Sequence, residues 1–242
     1  LINTSILDSA FDEIKALSTG KVTYAQGFIT EEGAIVEDQA RLLAQAQAAA
    51  ADADVAVVFL GLPATAESEG FDRTSIDLPA HQLEVLDAVR TANPNTVVVL
   101  SNGGVVALPF VDDVPAILEA WLLGQAGGGG TADVLFGKVN PSGKLAETIP
   151  LRLEDNPTFP RFPGEFGQSH YGEGLYVGYR WYDARNMEVA FPFGHGLSYT
   201  KFEYKDPAVM VRQDGALEVE VTVVNQGERA GREVVQVYTS LP

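Results

Sequence analysis

The sequence predicts an α/β fold: a mostly parallel sheet sandwiched by helices, followed by an incomplete antiparallel β-sandwich segment. Three observations carry that expectation. Short β-branched runs alternate with helical patterns through most of the chain, which is the order of an α/β layer structure. The composition, 46% hydrophobic and 20% charged over 242 residues, is that of a chain able to bury a core. From about Phe202 the hydrophobic period changes to two, the mark of antiparallel sheet.

Leu7, Phe11, Ile14 and Leu17 share one helical face, with Ser5 as cap and Gly20 as stop. Lys21 to Ala25 reads as a short strand, and Glu37 to Ala53 as an alanine-rich helix. Val55 to Leu60 is an uninterrupted apolar run, expected to be a strand buried on both faces. Helix Ala80 to Thr91, strand Thr96 to Leu100, strand Ala116 to Trp121 and helix Thr131 to Phe136 continue the alternation. Lys144 to Ile149 reads as a further strand at an antiparallel edge, and Leu151 to Gly174, rich in Pro, Gly and aromatics, as a long ordered loop. Leu217, Val219, Val221 and Val223 alternate with polar residues, and Val235 and Val237 do so after Asn225-Gln-Gly227. About 40 residues are too few for a β-sandwich of about 100, so the division expected is residues 1–200 and a partial second unit, residues 201–242.

The charge balance excludes some partners. With 16 Lys+Arg against 33 Asp+Glu the net charge is −17, which repels phosphodiester backbones and anionic lipid, so neither nucleic acid nor membrane is expected as a partner. No apolar run reaches the 18 to 20 or so residues of a membrane span, and Leu-Ile-Asn-Thr at the start resembles no signal peptide, which favours a cytoplasmic location. Without cysteine, and with His81, His170 and His195 scattered, no metal or other cofactor is expected.

The chemistry concentrates in one connector. Between strand Val55 to Leu60 and helix Ala80 to Thr91 lies Gly61-Leu-Pro-Ala-Thr-Ala-Glu67-Ser-Glu69-Gly70-Phe-Asp72-Arg73, far longer than an ordinary βα loop. It leaves the carboxyl end of a strand, where open α/β sheets bind ligands, and carries three carboxylates within six positions. Glu67 and Glu69 are the candidate acids. A general acid must keep its proton near neutral pH, which for Glu requires burial or a neighbouring negative charge. Gly70 allows a sharp turn that points the preceding carboxyl outward. The plainer alternative is a pair of solvated loop acids beside an Asp72–Arg73 ion pair.

The run Glu67-Ser-Glu-Gly-Phe-Asp-Arg73, followed by Ile76-Asp-Leu-Pro79, resembles the corresponding stretch of glycoside hydrolase family 3, and particularly its bacterial β-glucosidases. Asn102-Gly103, Trp121-Leu-Leu-Gly124-Gln125, Ala132-Asp133-Val-Leu-Phe-Gly137, Asn140-Pro-Ser-Gly-Lys144, Tyr171-Gly-Glu-Gly174, Tyr179-Arg-Trp-Tyr-Asp183 and Phe191-Pro-Phe-Gly-His-Gly196 resemble family motifs in the family's order. The resemblance implies a retaining glycosidase acting on a β-glucoside or oligosaccharide substrate. It further implies that an N-terminal barrel supplies the aspartate nucleophile, that this α/β domain supplies the acid/base, and that a fibronectin type III-like domain follows.

Carried onto this sequence, the acid/base is Glu69 first and Glu67 second, and Phe28 flanks the aglycone site. The barrel, its Ser/Thr-Asp-Trp nucleophile pattern and the first strand of the α/β domain are expected outside these residues, so the chain alone is expected to be inactive. A non-catalytic carbohydrate-binding or assembly module of the same fold is the alternative, and a nucleotide-binding flavodoxin-like protein a third class. Gly127 to Gly130 lacks a P-loop ending and reads as close packing of a helix on a strand. Tyr171, Tyr176, Tyr179, Trp181 and Tyr182 read as packing aromatics, His195 as a turn residue, and Arg180–Asp183 as an ion pair.

Overall fold

A computed structural model describes residues 6–29 and 36–240. Helices α1 (Ala10–Leu17) and α2 (Val36–Ala51) precede strand β1 (Ala56–Gly61), helix α3 (Ala80–Ala92), and strands β2 (Thr96–Ser101) and β3 (Ala116–Glu119). The three strands form a parallel sheet in the order β1-β2-β3, with Val58 opposite Val98 and Leu60 opposite Leu100. Helix α4 (Gly127–Leu135), strand β4 (Ile149–Pro150), helix α5 (Tyr179–Arg185) and strand β5 (Val189–Phe191) follow, with β4 and β5 antiparallel.

The core lies where the apolar pattern put it. Val58 and Leu60 on β1 and Val98 and Leu100 on β2 share one sheet face and cluster with Ala46 and Ala50 of α2 and Val85, Leu86 and Val89 of α3. Burying a side chain of this size contributes about 1.5–3 kcal/mol. Asn93, just past α3, donates through Nδ2 to the carbonyls of Ala50 and Ala53, closing the α2 terminus onto the α3 terminus. The opposite sheet face is uneven: Val99 is 2% exposed, whereas Phe59 on the edge strand is 38% exposed. Burial of the first strand on both faces is therefore corrected. β1 pairs only with β2 among the described residues, so no strand lies along its outer flank there.

Other expectations are also corrected. Helix α1 starts after Ser9 rather than Ser5, which lies outside the described residues. Lys21 to Ala25 has no ladder partner among the described residues; Ala25 packs on the core, so the segment is held there by side-chain contact rather than strand pairing. Gly127 to Gly130 form the first turn of α4 rather than preceding it. A Cβ on Gly128 would strike the backbone of Asp8 and Ala10, so this glycine lets α4 approach the start of α1, not a strand.

The antiparallel segment is a hairpin of β6 (Phe202–Val211) and β7 (Leu217–Asn225). A register shift interrupts it between Lys205 and Ala208. Its alternating valines are largely uncovered, with Val209 66% and Val211 72% exposed. Val235 and Val237 form no strand, because no ladder partner lies beside them among the described residues. That segment instead returns to the α/β layers. Lys144 pairs with Glu233 at 3.0 Å, Gln236 donates to the Gly194 carbonyl, and Tyr238 meets Tyr179 edge to face.

Candidate active site

The long β1–α3 connector is pinned at both ends. Leu62 N–H reaches the Ser101 carbonyl at 3.4 Å, and the Ile76 carbonyl accepts from Ala107 N–H at 2.8 Å. Leu78 is buried. Between these anchors the Pro63 carbonyl accepts from Ala66 and Glu67 N–H, a tight turn that swings the Glu67 side chain toward the end of β2.

Glu67 is fully engaged there. Its Oε2 accepts from Gly103 N–H at 2.6 Å and its Oε1 from Gly104 N–H at 2.7 Å, while Arg73 Nη1 lies 3.4 Å from Oε1. Hydrogen bonds to a charged acceptor contribute about 1.5–3 kcal/mol each. Both glycines sit close against these side chains. A Cβ on Gly103 would press on Glu67 and Leu122, and one on Gly104 on Arg73. Asn102, fully buried, donates to the Gly104 carbonyl and so shapes the turn that presents the two amides.

Glu69 differs in every respect. It is exposed and makes no hydrogen bond or ion pair among the described residues, and Gly70 behind it has φ +97°, the turn expected of that glycine. Glu69 borders an open depression of about 470 Å³ walled by Leu62, Ala64, Gly103 and Leu122, with Glu67 and Ser68 on the same rim. Glu67 and Glu69 thus meet at one depression, the first as a bound strut and the second as a free acid. Arg73 pairs with Glu67 instead of Asp72.

Phe28 is not brought to this rim. It is half-buried, packs on the α/β core and tilts against the His81 ring with centroids 5.7 Å apart. Tyr179 stacks on Phe193, Tyr182 is buried and the Trp181 indole N–H reaches the Asp155 carbonyl, whereas Tyr171 is 85% exposed. Arg180 reaches the Leu175 carbonyl and forms no ion pair with Asp183 among the described residues. His195 tilts against Phe191, and burial and Lys144 hold its imidazole below its usual pKa.

Sequence reasoning missed a second acidic pair behind the depression. Glu119, at the carboxyl end of β3, has its carboxyl pushed up to about 7, chiefly by burial and further by the charge of Glu147. Hydrogen bonds from Trp121 and Asn102 act in the opposite sense. Burial also raises Glu147, and Arg73 opposes it. The only signal in the sequence was a Glu at the end of an apolar strand. Among the described residues no group of three or more His, Asp or Glu could hold a metal ion.

A parallel sheet with a carboxylate-bearing loop beyond its strand ends defines an α/β domain with a candidate ligand site at those ends. The family profile described as glycosyl hydrolase family 3 C-terminal domain matches residues 2–199. Thermostable beta-glucosidase B of Acetivibrio thermocellus is 50% identical over 242 residues, covering 98% of this chain and 32% of the relative. An exo-alpha-(1->6)-L-arabinopyranosidase of Bifidobacterium breve is 47% identical, covering 91% of this chain and 29% of the relative. The crystal structure of the GH3 beta-glucosidase of Bifidobacterium adolescentis superposes with a TM-score of 0.86 at 47% identity, covering 91% of this chain and 32% of that one. The chain belongs to glycoside hydrolase family 3, and it spans about a third of the length of these relatives.

Proposed function

We propose that this chain is the acid/base-bearing domain of a retaining β-glycosidase of β-glucosidase type, with Glu69 as the proton donor. The observation that carries the reading is the contrast between the two loop acids. Glu67 is committed to two amides and a guanidinium, which leaves Glu69 as the carboxyl free to meet a leaving oxygen at the mouth of the depression. Residues 1–200 form the acid-bearing unit and residues 201–242 part of a following one.

Retaining hydrolysis needs a second carboxyl about 5 to 5.5 Å away to attack the anomeric carbon. Its source is an N-terminal barrel of the longer protein, docked over the depression. Glu69 protonates the glycosidic oxygen as the nucleophile displaces it, then takes a proton from the water that releases the sugar. Docking would also cover the open rim. The substrate is a terminal β-D-glucoside. The relatives named arabinopyranosidases make α-L-arabinopyranosides the competing choice.

The test uses the full-length enzyme and two aryl β-glucosides. Glu69→Gln should abolish turnover when the leaving phenol is poor and needs a proton, while formation of the glycosyl-enzyme survives when the phenol is activated. Equal loss on both substrates, or unchanged activity, rejects Glu69 as the donor. Mixing this chain with a separately made barrel domain separates enzyme from assembly module, since only the enzyme half should restore chromogenic activity.

A further inference from the structure

The tip of the acid loop, Ser68 to Asp72, turns at Gly70, and no hydrogen bond or ion pair ties it to the rest of the domain among the described residues. Phe71 within it is 48% exposed. A side chain on such a tip has many orientations open to it, so the direction of Glu69 is decided by what holds the two ends.

Both ends are held, and they are held to each other. On the near side Glu67 N–H donates to the Pro63 carbonyl at 3.0 Å, and the Glu67 carboxylate accepts from the Gly103 and Gly104 amides. On the far side Arg73 Nη1 donates to Glu67 Oε1 across the base of the tip, the one hydrogen bond of the Arg73 side chain among the described residues. These two side chains are only 19% and 20% exposed, whereas Glu69 between them is open to solvent. The guanidinium also lies close against Gly104, where a Cβ would come within 3.2 Å of Nη1. One carboxylate thus joins the entry of the tip, its exit and the turn after β2. That turn is the fixed partner. It continues a strand whose Val98 and Leu100 are fully buried, and Asn102, also fully buried, donates to the Gly104 carbonyl at 3.0 Å.

We propose that Glu67 and Arg73 are positioning residues: their ion pair clasps the base of the tip and, through the Gly103 and Gly104 amides, registers Glu69 against the end of β2. Their effect on catalysis rests on the reading of Glu69 as proton donor; the clasp itself does not. A donor must come within hydrogen-bond reach of the leaving oxygen, and a displacement of about 1 Å can cost on the order of 100-fold in rate. Loss of the clasp is therefore felt in proportion to the leaving group's need for a proton.

The experiment is a double-mutant cycle on the full-length enzyme, read as kcat/KM per folded protein on two aryl β-glucosides, one with a poor phenol leaving group and one with an activated phenol. Glu67→Gln should lower the value about ten- to hundredfold on the poor phenol and by less than about threefold on the activated one. In the Glu69→Gln background the same substitution should add no further loss on the poor phenol, because the group it positions is gone. Arg73→Lys leaves both amide bonds in place and should show the same pattern at smaller size, since a point charge replaces a planar fork. Hydrogen exchange at Gly103 and Gly104 should be faster in Glu67→Gln than in the parent, with exchange in β1 to β3 unchanged. Equal losses on the two phenols, or losses at the two glutamates that multiply, would show a general stabilising role and overturn the proposal, as would unchanged exchange at the two glycines. Glu69→Gln measured alone decides the donor assignment, so a wrong donor and an absent clasp give different results.

Discussion

Gln82 on α3 and Gly61 at the end of β1 exchange two hydrogen bonds: Gln82 Nε2 donates to the Gly61 carbonyl at 2.8 Å, and Gly61 N–H donates to Gln82 Oε1 at 3.0 Å. The side chain is 1% exposed and stands where the strand gives way to the acid loop. Gly61 itself has no room for a Cβ, which would strike the Ser101 carbonyl. Strand end, helix and neighbouring strand are therefore locked before the loop begins.

Gln82→Leu should destabilise the chain strongly. The leucine fills the space but leaves a part-buried N–H and a part-buried carbonyl without partners, at up to about 1–3 kcal/mol each. Urea denaturation should show a lower midpoint with an unchanged slope. A loss under about 0.5 kcal/mol, the range of ordinary surface changes, would mean that water replaces the glutamine.

The two loop acids should separate cleanly in stability. Glu67→Gln turns an amide NH2 toward one of the two glycine N–H groups and loosens the Arg73 contact, so a loss of about 2–3 kcal/mol is expected. Glu69→Gln removes no contact and should leave stability within about 0.5 kcal/mol of the parent. Thermal melts of both variants check this, and equal effects would reject the division into strut and free acid.

That division also marks how far the sequence could be read. Strands β1 and β2 were legible because an apolar run reports its own burial, and Ala80 to Ala92 because its period is local. The acid loop was legible through its length and its motif. Glu67 was not separable from Glu69 by pattern, since both precede a turn; what distinguishes them is a pair of amides 36 and 37 residues away. Lys21 to Ala25 and Val235 to Val237 had strand composition, yet a strand also requires a neighbour, which composition does not report. Glu119 was hidden for the same reason, its burial being set by distant segments.

Alkaline pH should reveal Tyr182. Burial, with the charges of Asp155 and Glu147, pushes its phenol up to about 12 from 10.0. A raised phenol pKa means that the folded state favours the neutral form, so the stabilisation is complete below pH 10 and is lost as pH rises through about 12. Tyr182→Phe should flatten that decline, measured as urea midpoints from pH 9 to about 11.5. An unchanged slope would place the alkaline sensitivity elsewhere.

The returning segment after β7 should detach when its ion pair is cut. Lys144 and Glu233 meet at 3.0 Å with side chains only 16% and 13% exposed, and Lys144 Nζ also donates to the Gly196 carbonyl at 2.7 Å. Removing one partner from a largely buried pair strands the other charge, which costs more than the pair itself contributes. Lys144→Met or Glu233→Gln alone should therefore cost about 2–4 kcal/mol and the double variant less than their sum, a coupling that a double-mutant cycle measures. Of the remaining tethers one is charged, Arg229 Nη1 donating to the Gly137 carbonyl at 3.4 Å, and it touches neither Lys144 nor Glu233. Asn140 Nδ2 donates to the Ala230 carbonyl and Gln236 Nε2 to the Gly194 carbonyl. Limited proteolysis should accordingly cut the single variants first between Gln226 and Tyr238 while the parallel sheet stays intact. Additive losses, or first cleavage within β1 to β3, would show that this segment is held by its other contacts instead of by this ion pair.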